Sequence, residues 1–70
     1  MLNRKAFRTA FNFYEARMNT LSNTPEWWEE SARQMEALAD GDPLLTDLLI
    51  AVYADLERRV YVQQGQRRGT

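Results

Sequence analysis

Two prolines divide this chain, and both stand where a helix begins. Pro25 lies between Thr24 and Glu26, and Pro43 follows Asp42. Threonine and aspartate are good N-caps because a side-chain oxygen accepts from an early backbone N–H. Proline at the first helical position gives up only an N–H that no helix carbonyl would accept. Gly41, just ahead of Asp42, offers the left-handed conformation that closes a helix. The remaining glycines, Gly65 and Gly69, lie close to the end, so none interrupts the three segments marked off in this way.

Each segment carries a helical period. In the first, Phe7, Phe11, Tyr14, Met18 and Leu21 recur at spacings of 4, 3, 4 and 3. At 3.6 residues per turn they form one stripe, with Asn3 as the N-cap. In the second, Trp28, Ala32, Met35 and Ala39 share a face, and Glu26, Glu29, Glu30, Arg33 and Glu36 lie on the other. Glu29 and Arg33 have the spacing of an i,i+4 ion pair. In the third, Leu45, Leu48, Leu49, Val52, Leu56 and Val60 make the stripe and Tyr53 borders it. No stretch alternates as a strand would, and nothing repeats.

Three amphipathic helices can bury their stripes only against one another. The sequence therefore predicts an all-α, compact three-helix bundle with helices over about 3–20, 25–39 and 43–63. It forms a single domain over 1–64, and Gly65 begins a disordered tail over 65–70. The expected centre is Phe7, Phe11, Tyr14, Met18, Trp28 and Met35, with Leu45, Leu49, Val52 and Leu56 from the third helix. A core in a 70-residue chain rarely supplies more than about 3–5 kcal/mol. Removing Phe11 from that centre, at about 3–5 kcal/mol for a buried Phe→Ala change, is expected to unfold it.

Composition narrows the function. There is no cysteine and no histidine, which excludes disulfides, thiolate and imidazole metal sites, and Cys-His or Ser-His catalysis. Hydrophobic residues are 44% and charged residues 27% of the chain, the balance of a globular protein rather than a disordered one. Polar residues interrupt the N-terminal segment where a signal peptide needs an apolar run. The most apolar stretch, Leu44 to Leu56, contains Asp47 and Asp55 and is short of the roughly 20 residues of a membrane span. These points predict a cytoplasmic protein with no membrane segment. The carboxylates Glu26, Glu29 and Glu30 read as a solvated helix face with nothing to raise a catalytic pKa. Asp40-Gly41-Asp42-Pro43 lacks the spacing of a calcium loop. No enzyme, cofactor, metal or small-molecule substrate is expected.

Two sets of residues stand apart from this pattern. Phe13, Trp27, Ile50 and Tyr61 fall off the main stripes. They are candidates for a patch that binds a protein partner or a second copy in a homodimer, since aromatic residues concentrate at interface cores. The alternatives are ordinary scattered exposure, or burial on both sides of helix one as the middle helix. The second set is basic. The net charge is only −1, but residues 1–20 carry +3, residues 21–57 carry −8 and residues 58–70 carry +4. Arg4, Lys5 and Arg8, with Arg67 and Arg68 in the tail, could contact phosphate. The acidic centre of the chain disfavours nucleic acid as the partner. Arg58 and Arg59 suit the C-terminal end of a helix dipole.

The run Asn3-Arg4-Lys5-Ala6-Phe7-Arg8-Thr9-Ala10-Phe11-Asn12-Phe13-Tyr14 opens a wider pattern. Trp27-Trp28, Met35, Gly41-Asp42-Pro43-Leu44-Leu45, Leu48-Leu49-Ile50-Ala51-Val52-Tyr53 and Leu56-Glu57 continue it. Over about residues 2–58 it resembles small proteins of no settled activity encoded on mobile elements of Gram-positive anaerobic bacteria. The resemblance implies a bacterial cytoplasmic accessory protein and carries over no catalytic or binding residue. The function expected is a small non-enzymatic protein–protein interaction or accessory module. The alternative is a nucleic-acid-associated accessory protein using the basic first helix and the arginine tail.

Overall fold

A computed structural model describes residues 3–68, with side chains described as far as residue 62. Helix α1 spans Arg4–Asn19, α2 spans Pro25–Ala39 and α3 spans Pro43–Arg68, and they form a compact all-α three-helix bundle. All three starts are capped as the sequence predicts. The Asn3 side chain accepts from the Ala6 N–H at 3.1 Å. The Thr24 hydroxyl accepts from the Trp27 N–H at 3.2 Å, with Pro25 at N1 and Glu26 in the first turn. Asp42 Oδ1 accepts from the Leu44 N–H at 3.0 Å. Between α2 and α3 the backbone enters the left-handed region one residue earlier than expected, at Asp40 (φ 44°), and Gly41 follows at φ 80°.

The third helix is longer than expected. It continues through Gly65 to Arg68, and residues 69–70 lie outside the described residues. At 1.5 Å per residue its 26 residues make a rod of about 39 Å. It is the central element of the bundle: α1 and α2 both pack chiefly on α3. The alternative that placed helix one in the middle does not hold.

The core corrects the phase of α1. Its buried residues are Ala6, Ala10 and Phe13, while Phe7 and Phe11 are 57% and 58% exposed. Two alanines on the inner face let the α1 backbone approach α3 closely, and the bulky stripe is left beside the contact. Tyr14, Met18 and Leu21, further along, are partly buried at its edge. In α2, Trp27 rather than Trp28 is the buried tryptophan, and Ser31 is fully buried. The α3 stripe holds as read: Leu45, Leu49, Leu56 and Val60 are buried, and Leu48 and Val52 pack against them.

The α1–α2 contact is polar as well as apolar. Arg17 Nη1 donates to the Ser31 hydroxyl at 3.0 Å, and that hydroxyl donates to the Trp27 carbonyl at 2.8 Å. The Arg17 guanidinium also lies over the Trp27 ring, 5.2 Å from its centre, where the ring quadrupole attracts a cation. A buried serine on α2 thus has both hydrogen-bonding roles filled, which is what makes its burial tolerable.

Candidate functional site

The four residues singled out as a partner patch do not lie together. Phe13 and Trp27 are 4% and 8% exposed and belong to the core. Their distance from the apparent stripes arises because the true inner faces of α1 and α2 are rotated from those stripes. Ile50 and Tyr61 are well exposed on α3. The residues that take the place of Phe13 and Trp27 at the surface are Phe7 and Phe11.

Phe7 and Phe11 stand one turn apart on α1 and border a hollow of about 480 Å³ between α1 and α3. Its floor is Ala10, Leu48, Ala51 and Val52, and Tyr14, Asp55, Arg58 and Arg59 close one end. That end is fixed by a carboxylate with three donors. The Tyr14 hydroxyl donates to Asp55 Oδ2, Arg58 Nη2 to Oδ1 at 2.8 Å, and Arg59 Nε to Oδ2 at 3.2 Å. Donors that favour the charged form hold the Asp55 carboxyl down at about 2, the Tyr14 hydroxyl first among them and Arg58 next. The same carboxylate holds the Arg59 guanidinium above its ordinary value. On the solvent side, Arg4 and Arg8 each stand three residues before one of the two phenylalanines, which places them on the same helix edge, and both are exposed.

A second hollow, of about 550 Å³, lies on the opposite flank of α3, against α2. Ala32, Met35 and Ala39 of α2 and Leu49, Ile50 and Tyr53 of α3 line it. Its rim is acidic. Glu36 lines it directly, and Glu29 lies two turns earlier on the same line of α2. Asp47, three residues before Ile50, and Glu57, four after Tyr53, continue the rim on α3, and all four are exposed. The i,i+4 pair expected within α2 between Glu29 and Arg33 is not made, because Arg33 pairs with Glu30 instead.

The basic residues read as phosphate contacts are divided. Arg4 and Arg8 flank the Phe7–Phe11 edge, whereas Lys5 lines a different hollow beside Thr9 and the α2–α3 turn. The side chains of Arg67 and Arg68 lie outside the described residues. Sequence reasoning missed Phe7 and Phe11 as surface residues because it took the heaviest apolar stripe to be the buried one. A signal was present: Arg4, Arg8 and Glu15 border that stripe, whereas Ala6 and Ala10 lie on the other side of it.

Among the described residues no helix is long and apolar enough to cross a membrane. No group of three potential metal-ligating side chains stands together there. No protein-family model, curated protein or solved structure matches the chain.

Proposed function

We propose that this protein is a small non-enzymatic interaction module that binds a protein partner through the α1/α3 face built around Phe7 and Phe11. The observation that carries the reading is the exposure of both phenyl rings beside an apolar hollow. Single exposed apolar side chains are ordinary, but a contiguous apolar patch with a charged rim is the usual composition of a docking surface. Arg4, Arg8, Arg58 and Arg59 around it would set orientation and association rate more than affinity. The resemblance to small mobile-element proteins fits an accessory role of this kind.

Photo-crosslinking tests the reading. A photoreactive phenylalanine analogue at position 11, in the cells that make the protein, is expected to give a discrete adduct. The same analogue at position 37, exposed on α2 and lining neither of the two hollows, is expected to give none. Absence of an adduct at position 11, or equal labelling at both positions, overturns the reading. The second reading, a nucleic-acid-associated accessory protein, draws on the four arginines around the same face. It requires duplex binding that weakens steeply with salt as phosphate contacts release counterions, and that is lost in an Arg4→Ala/Arg8→Ala variant.

A further inference from the structure

The two hollows flank the same helix and carry opposite charge. The α1/α3 edge has four arginines against Glu15 and Asp55, and Asp55 is already engaged by Arg58 and Arg59. The α2/α3 rim has Glu29, Glu36, Asp47 and Glu57 and one base on the same lines, Arg33, which is already paired with Glu30. The α1 edge of the first hollow is its ridge: Phe7 and Phe11, a turn apart and each more than half exposed. The other hollow is a trough whose α2 wall is small or flexible: Ala32, Ala39 and the unbranched Met35. Methionine adapts to the shape of what it packs against.

From this complementarity, and resting on the interaction-module reading above, we propose that the occupant of the Phe7–Phe11 face is the acidic α2/α3 trough of a second copy of this chain. The contact is heterologous. A symmetric pairing of two α1/α3 faces would set arginines against arginines, and one of two α2/α3 troughs would set carboxylates against carboxylates. Pairing unlike faces joins ridge to trough and base to acid. Because every copy carries both faces, such a contact propagates into a ring or an open chain of copies.

Sedimentation of separate and mixed variants tests this. Phe7→Ala/Phe11→Ala removes the ridge, and Ala32→Lys/Ile50→Lys blocks the trough. All four positions are exposed, so both variants are expected to keep the helical circular dichroism of the wild type. The wild-type protein is expected to self-associate reversibly toward millimolar concentration. Sodium chloride raised from about 0.1 M to about 1 M shortens the screening length from ~10 Å to ~3 Å and is expected to weaken the association several-fold. Each variant alone is expected to be monomeric. Their equimolar mixture is expected to form a dimer and to stop there, since the pair has one working ridge and one working trough facing each other.

A wild-type protein that remains monomeric overturns the inference. So does an associating wild type whose mixed variants stay monomeric, because that contact uses other faces or like faces. The photo-adduct at position 11 separates this outcome from failure of the module itself. An adduct of twice the chain mass supports self-docking. An adduct of any other mass leaves the interaction module standing with a different protein on the face and removes the second copy from it.

Discussion

Truncating Phe13 and truncating Phe11 should give opposite results, although the two residues are the same type, on the same helix and half a turn apart. Phe13 is 4% exposed and packs in the cluster with Trp27, Leu49 and Leu56. Phe13→Ala removes nearly the whole buried ring and leaves a cavity that a three-helix core cannot fill, at a cost of about 3–5 kcal/mol. That equals the roughly 3–5 kcal/mol that a core of this size supplies, so the variant is expected to be largely unfolded at 25 °C. Phe11 is 58% exposed. Full burial of a phenylalanine is worth about 1.5–3 kcal/mol, and Phe11 realises less than half of it, so Phe11→Ala costs about 1 kcal/mol. In a domain of this length that lowers Tm by about 4–8 °C and leaves a cooperative transition. Circular dichroism melts and urea titrations of the two variants, followed at 222 nm, measure both. If Phe11→Ala unfolds the chain while Phe13→Ala melts close to the wild type, the α1 phase described above is wrong. The heavy stripe would then be the buried one.

Three further outcomes follow from the geometry. Asp55 titrates at about 2 in the fold against 3.8 when unperturbed, so it contributes stability present above pH 3.8 and lost as pH falls toward 2. Tyr14→Phe removes the largest cause of that depression, so its urea midpoint should lie below the wild type at pH 6 and converge on it near pH 2. A gap that stays constant with pH would contradict this. Ser31→Ala takes away the acceptor of Arg17 and the donor to the Trp27 carbonyl and should cost about 1–3 kcal/mol, read as a lower urea midpoint. An unchanged midpoint would show that the buried hydroxyl contributes nothing net. Gly41→Ala meets no atom within 4 Å, yet its φ of +80° strains any L side chain. The melt should therefore fall, whereas D-alanine introduced there by chemical synthesis should be tolerated.

Local chemistry in this chain was legible residue by residue. Asn3, Thr24 and Asp42 cap the helices because capping depends on a side chain and a backbone N–H two or three residues away. Pro25 and Pro43 mark helix starts for an equally local reason. The α3 stripe was legible because Leu45, Leu49, Leu56 and Val60 recur at helical spacing. Gly65 weakens a helix but does not forbid one, and α3 runs past it.

The site was legible only in part. Ile50 and Tyr61 were identified as lying off the α3 stripe, and the charge asymmetry that separates the two flanks of α3 is in the sequence. The faces of α1 and α2 are a different matter. Periodicity gives the direction of the heaviest stripe. The buried line is set by how closely two helix backbones approach. Ala6 and Ala10 permit a close approach that Phe7 and Phe11 would prevent, so the small residues went inside and the large ones to the rim. Phe13 and Trp27 followed them into the core, and the α1/α3 surface acquired its two phenyl rings. The sequence alone determined three capped helices and their charges. Which side of α1 and of α2 faces the others was decided by backbone proximity, a property of the packed bundle that no single helix carries.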